Sequence, residues 1–148
     1  MIYVFDIDGT LADISHRLHF IQQEPKDWRG FFAACTEDLP ISDIIDVLRA
    51  LHAKGHTIVL ISGRSDEVRG VTEAWFNNYC IPYNRILMRK HGDHREDSMV
   101  KAELLDAMVK QFRTSFAFIG GVFEDRKQVV DMYRAKGLRV FQVAEGNF

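Results

Sequence analysis

Five apolar runs rich in β-branched and aromatic residues alternate along this chain with stretches whose apolar residues recur at helical spacing, and that alternation leaves few folds open. The runs fall at residues 2–7, 57–61, 85–88, 116–123 and 138–143. Between them, Ser42 can cap a helix carrying Ile44, Ile45, Leu48 and Leu51 that stops at Gly55. A second helix follows Ser65 with Val68, Val71, Trp75 and Phe76, a third spans 98–112, and a fourth spans 126–136 before Gly137. The pattern predicts an α/β fold with a mostly parallel five-stranded sheet and helices on both faces. Right-handed crossovers in such sheets gather ligands at the carboxyl ends of the strands.

Residues 13–40 break the alternation. They hold two short helical stretches, near 15–23 and 28–35, and read as a small cap-like insertion over the strand ends. With 148 residues and 47% hydrophobic content, one core can close and two ordinary domains cannot. Residues 1–148 are therefore expected to form a single domain.

A net charge of −2 argues against a surface that wraps many nucleic-acid phosphates, yet leaves room for a site gripping one phosphate-bearing end. Cys35 and Cys80 make no CxxC pair and suit the core of a protein in a reducing cytoplasm. The first residues carry no basic start and no long apolar stretch, so neither secretion nor a membrane partner is expected.

The chemistry concentrates where the first run ends. Asp6-Ile7-Asp8-Gly9-Thr10 sets two carboxylates two residues apart at a strand's carboxyl end. One can attack while the other handles a proton, and an all-oxygen setting suits Mg²⁺ beside a phosphate. Acids and glycine also build plain turns, so this motif alone decides little. Downstream, Ser62-Gly63-Arg64 follows the second run, Lys101 lies near the start of a helix, and Glu124-Asp125-Arg126 follows the fourth run. Each has an ordinary reading: a turn, a solvated lysine, an acidic helix start.

Taken in order, these four pieces resemble the motifs of the haloacid-dehalogenase superfamily. That resemblance implies a single Rossmann-like domain and Mg²⁺ as cofactor. It implies Asp6 as phosphate-accepting nucleophile and metal ligand, and Asp8 as acid/base whose backbone completes the metal site. Ser62 would bond a phosphoryl oxygen, Lys101 would balance charge, and Glu124 and Asp125 would supply the remaining metal carboxylate, with Asp125 ranked first. A closer resemblance, to the 3′-phosphatase domain of phage-type polynucleotide kinase-phosphatases, adds Arg17, Thr72 with Trp75, residues 92–95, Asp97, residues 128–130, and residues 142–144 with Gly146 and Phe148. It places substrate contacts on Thr10, Arg17, Gly63, Arg64 and Asp97. The two arginines suit phosphate oxygens or a structural ion pair equally. Glu124 departs from the relatives' aspartate, and no Gly-x-x-x-x-Gly-Lys-Ser/Thr loop is present to hold ATP.

The resulting expectation is a Mg²⁺-dependent polynucleotide 3′-phosphatase acting on 3′-phosphorylated DNA or RNA ends, cytoplasmic, or in a host's cytoplasm if phage-encoded. A small-molecule phosphatase and a non-catalytic binder of nucleic-acid ends are the competing readings, and homo-oligomerisation is left open. Arg69, Arg89, Arg95 and Lys127 could guide a strand. Trp28, Phe31 and Phe32 could stack on a base or simply pack in the core. His91, Asp93 and His94 lack the fuller ligand set that zinc takes and read as loop residues.

Overall fold

Apolar strands buried on both faces pair in parallel, and the central one carries the first acidic motif. The computed structural model describes residues 1–146, so the Phe148 match lies outside the described residues. The strands are β1 (Ile2–Phe5), β2 (Ala12–Asp13), β3 (Leu39–Pro40), β4 (Thr57–Ser65), β5 (Arg85–Arg89), β6 (Ile119–Glu124) and β7 (Val140–Gln142). The α-helices are α1 (His19–Gln22), α2 (Trp28–Ala33), α3 (Ser42–Ala53), α4 (Arg69–Asn78), α5 (Asp97–Gln111) and α6 (Lys127–Ala135). Five strands form one parallel sheet in the order β5-β4-β1-β6-β7, with Val4 aligned to Val59 on one side and to Val122 on the other.

Because side chains alternate along a strand, neighbouring residues of β1 feed different cores. Val4, with Val59, Ile61 and Val122, meets Leu105 and Met108 of α5 and Val129, Val130 and Tyr133 of α6. Phe5, with Ile58, Leu60 and Phe123, meets Ile45 and Leu48 of α3 and Trp75 and Phe76 of α4. Phe5 and Phe123 stack at 4.4 Å between ring centroids, and Phe123 stacks on Phe141 at 4.8 Å. Such pairs add about 0.5–1.5 kcal/mol each beyond their burial. The first ties β1 to β6 and the second ties β6 to β7, at the end where the acids emerge.

The pairing of Ala12 with Pro40 and Asp13 with Leu39 ties off the insertion at its base. Within it, Ile14, Ile21 and Phe31 make a small core of their own. No described helix is long and apolar enough to cross a membrane.

Several local expectations are corrected. Ser42 opens α3 but makes no side-chain cap, because Ile41 occupies the cap position. The second run continues as strand through Ser62-Gly63-Arg64 to Ser65, so that sequence is extended rather than a tight turn. Ser65 then caps a short 3₁₀ turn by accepting from the Glu67 amide, and α4 starts only at Arg69. Residues 116–118 form a 3₁₀ turn that leaves Phe118 59% exposed, so β6 begins at Ile119. Cys35 is buried as expected, whereas Cys80 is exposed. Its positive φ of 54° lets the Ile81 amide reach back to the Phe76 carbonyl and close the end of α4.

Candidate active site

The β1 ladder ends in a bond from the Asp6 amide to the Phe123 carbonyl, after which the chain folds back. The amides of Leu11 and Ala12 both reach the Ile7 carbonyl at 2.9 Å. Gly9 sits at φ 83°, and a methyl group added there would collide with the Asp125 carboxylate. Glycine therefore serves twice in this loop: it supplies the backbone turn and lets the tip of β6 approach the tip of β1.

At that junction Lys101 Nζ donates to Asp6 Oδ1 at 2.7 Å and to Glu124 Oε2 at 2.8 Å, and lies 3.4 Å from Asp97 Oδ2. Asp97 and Lys101 stand one turn apart at the start of α5, so one helix delivers both. Thr10 Oγ1 donates to the other Asp6 oxygen at 3.2 Å. Glu124 Oε1 accepts the amides of Asp125 and Arg126, which commits both of its oxygens. Asp125 Oδ1, by contrast, is buried without a hydrogen-bond partner. Oxygens of Asp6, Glu124 and Asp125 all lie within 4.8 Å of one another. Burial and the nearby Glu124 push the Asp6 carboxyl well above its ordinary value, against the pull of Lys101. The same two causes raise Asp125 to about 7. Three crowded carboxylates sharing one ammonium make a site that favours an added cation.

Asp8 lives in the opposite field. Arg64 Nε and Arg17 Nη2 donate to its Oδ1 at 2.8 and 2.7 Å. Burial would raise its carboxyl, but Arg64 and Arg17 hold it below the ordinary range. Arg17 also forks onto Asp38 at 2.8 and 2.7 Å, and Arg64 adds one bond to it at 2.9 Å. Of the two readings open for Arg17 and Arg64, the geometry displays the ion pair. Both are shielded from solvent behind Asp8. Arg17 additionally lies 4.3 Å over the Phe31 ring, which fastens the insertion to this network.

A cavity of about 650 Å³ opens over the cluster. Asp6, Asp8, Gly63, Asp97, Lys101 and Glu124 line it, together with Trp28, Phe31, Phe32 and residues 89–96. A methyl group at Gly63 would strike Asp97, so glycine is what lets β4 and α5 meet at the cavity wall. Ser62 is buried, its hydroxyl accepting from the Arg64 amide at 3.1 Å, and it does not line the cavity. Arg69 and Lys127 are held by Glu73 and Asp131, while Arg95 clamps Asp93 and Glu103. Arg89 donates to the Gly63 carbonyl at 2.8 Å and to Asp97 at 3.2 Å, which makes it a strut of the wall. His91 and His94 line the rim, and the described residues offer a metal group at Asp6, Glu124 and Asp125 rather than there.

Asp38 is the residue that sequence reasoning missed. In Glu37-Asp38-Leu39-Pro40 it looks like an ordinary turn acid. Its pairing with two arginines 21 and 26 positions away is visible only in three dimensions.

A family model described as the polynucleotide kinase PNKP phosphatase domain matches residues 1–148. The chain is 31% identical to a chain in a Pnkp1/Rnl/Hen1 complex, with a TM-score of 0.82, covering 99% of this chain and 46% of that one. A second structure, of the Pnkp1/Rnl/Hen1 RNA repair complex, gives 31% identity and 0.80 over 99% of this chain and 43% of that one. This chain thus spans less than half the length of those two. A class C acid phosphatase from Bacillus anthracis with tungstate bound shares the fold, at 19% identity and a TM-score of 0.68 over 99% of this chain and 67% of that one. The chain belongs to the polynucleotide kinase PNKP phosphatase domain family, phosphoric monoester hydrolases of the haloacid-dehalogenase type.

Proposed function

We propose that this chain is a magnesium-dependent polynucleotide 3′-phosphatase that removes the 3′-phosphate from DNA or RNA ends through an aspartyl-phosphate on Asp6. The observation that carries the reading is the placement of Asp6. It lies at the floor of an open cavity, bonded to Lys101 and within ligand reach of Asp125, whose Oδ1 is buried without a partner. The donor set is all oxygen and carries surplus negative charge, which fits Mg²⁺. Asp6 and Asp125 would hold the ion, with the Asp8 backbone carbonyl completing the set and Glu124 steering Lys101 beside it. When bound, the ion would neutralise phosphate charge and orient the ester.

In the proposed cycle an Asp6 carboxylate oxygen attacks phosphorus. The bond from phosphorus to the ribose 3′-oxygen breaks, its electron pair leaving on that oxygen, and Asp8 supplies the proton. Asp8 then takes a proton from water, and the water oxygen attacks phosphorus. The bond to Asp6 breaks, releasing inorganic phosphate and restoring the carboxylate. Arg17 and Arg64 hold Asp8 as a carboxylate at rest, the form required to activate water. An arriving phosphate adds negative charge beside Asp8 and pushes its carboxyl back toward protonation. Lys101 stands ready for the charge that Asp6 hands to the phosphoryl group. Ser62, Thr10 and Gly63 shape the strand tips, and Asp97 and Arg89 build the wall beside them.

One of the matched chains belongs to an assembly described as an RNA repair complex, which supports a nucleic-acid end as substrate. The cavity also exceeds what a phosphate alone would need and falls in the range of sites for drug-sized ligands. The test compares 3′-phosphorylated oligonucleotides with mononucleotides at matched concentration and Mg²⁺. Higher kcat/KM on the oligonucleotides supports the proposal, and a strong mononucleotide preference points to a small-molecule phosphatase. Tight 3′-phosphate binding without release marks a non-catalytic module.

A further inference from the structure

The aromatic residues of α2 divide their work. Phe31 touches the cavity but is only 1% exposed, packs with Ile14 and Ile21, and carries the Arg17 guanidinium on its ring face, so it meets the insertion's need for a core. Trp28 is 38% exposed, lines the cavity over Asp6, and lies 6.1 Å from Phe32 with their ring planes 29° apart. Phe32 lines the same cavity. The stacked pair forms an apolar wall on the insertion side, facing a chamber lined elsewhere by charged residues such as Asp6, Arg89, Asp97 and Lys101. Trp28 stands at the start of α2, where Asp27 accepts the Gly30 amide at 2.8 Å and fixes the turn that carries it. Lys26 Nζ approaches the indole at 5.8 Å, which puts a positive charge beside the wall.

A small polar ester would leave such a wall unused, and a phosphate has no use for it. A nucleobase matches it, because every base offers a π-face for stacking and is joined through its sugar to the phosphate that Asp6 would take. We propose that Trp28, backed by Phe32, stacks on the base of the terminal nucleotide and makes this site select for base-bearing ends. The inference rests on the reading of the chain as a 3′-phosphatase of nucleic-acid ends. It adds a specificity-determining surface outside the acidic cluster.

The test uses two oligonucleotides that differ only in whether the terminal 3′-phosphorylated nucleotide carries a base or is abasic. The wild-type chain is expected to favour the base-bearing end by about tenfold in kcat/KM, mostly through KM. That ratio should fall to near one in a Trp28→Ala/Phe32→Ala variant and be largely kept in Trp28→Phe. An unchanged ratio in the double variant overturns the proposal, as does a wild-type ratio of one. Where wild type turns over neither oligonucleotide, it is the phosphatase reading that has failed. Stacking is then read from tryptophan fluorescence, with Trp75 buried in the core as an internal reference. Quenching of Trp28 by a nucleoside 3′-monophosphate but not by ribose phosphate supports the wall, and equal or absent quenching overturns it.

Discussion

Lys101 Nζ lies 2.7 Å from Asp6 Oδ1, although the two residues stand 95 positions apart and both are largely buried at the cavity floor. Burial would strip the proton from the lysine, yet Asp6, Asp97 and Glu124 raise its affinity for that proton well above the ordinary value. The ammonium is therefore the internal counter-charge of the acidic cluster. Lys101→Met should lower metal-free stability by about 3 kcal/mol, because removing one partner of a buried pair strands the others. Thermal unfolding in chelator checks this, and an unchanged Tm would show that the ammonium does not hold the cluster together.

Metal-free stability should fall as pH rises. In the folded chain Asp125 is pushed up to about 7 and Asp6 is also raised, whereas unfolded aspartates titrate at about 4. Between those limits the folded state binds more protons than the unfolded one, so ∂ΔG/∂pH is negative and stability is lost from about pH 4 through 7. The loss should be on the order of a few kcal/mol. Asp8, held low, works the other way, its contribution lost only as pH falls below the ordinary carboxylate range. Added Mg²⁺ should raise Tm more at pH 8 than at pH 5, since the ion binds the deprotonated cluster. Equal Mg²⁺ shifts at the two values would contradict this.

Glu124 and Asp125 should part company on mutation. Asp125 has a buried oxygen without a partner, whereas both oxygens of Glu124 are already bonded. Asp125→Asn is expected to weaken Mg²⁺ binding by about 100-fold or more with a modest effect on metal-free stability. Glu124→Gln should cost about 2–3 kcal/mol of stability and weaken Mg²⁺ by only about 10–100-fold, as for a residue behind the ligands. Calorimetric Mg²⁺ titration beside chemical denaturation separates the two, and a reversed ranking would make Glu124 the direct ligand.

The Arg17, Arg64, Asp8 and Asp38 network should be cooperative. Arg64→Met leaves two buried carboxylates short of a partner and should cost about 3–5 kcal/mol. Arg64→Lys should recover little, because one ammonium cannot copy the fork from Nε and Nη2 onto Asp8 and Asp38. A lysine variant with wild-type stability would show that charge alone suffices there.

The sheet was legible in the sequence because burial on both faces makes β1, β4 and β6 nearly continuous apolar runs, and so were the acids at their tips. Local signals failed where tertiary contacts decide the outcome. Ser62-Gly63-Arg64 looks like a turn, yet it stays extended so that Gly63 can pass Asp97 and Arg64 can reach Asp8. Asp38 carries no local mark at all, since its role depends on arginines from β4 and from the insertion folding onto one point. Trp28 and Phe31 look alike in sequence. Both reach the cavity, but the curvature of the insertion leaves Trp28 38% exposed there and buries Phe31 in the small core.

Asp6 as the nucleophile is tested most directly by acid-quenching the enzyme in the first turnover of an oligonucleotide bearing a radiolabelled 3′-phosphate, then mapping the label. The label should appear on the peptide containing Asp6, with the alkali lability of an acyl phosphate, and should vanish together with turnover in Asp6→Asn. Normal turnover by Asp6→Asn, or label mapped to a different residue, would contradict the assignment.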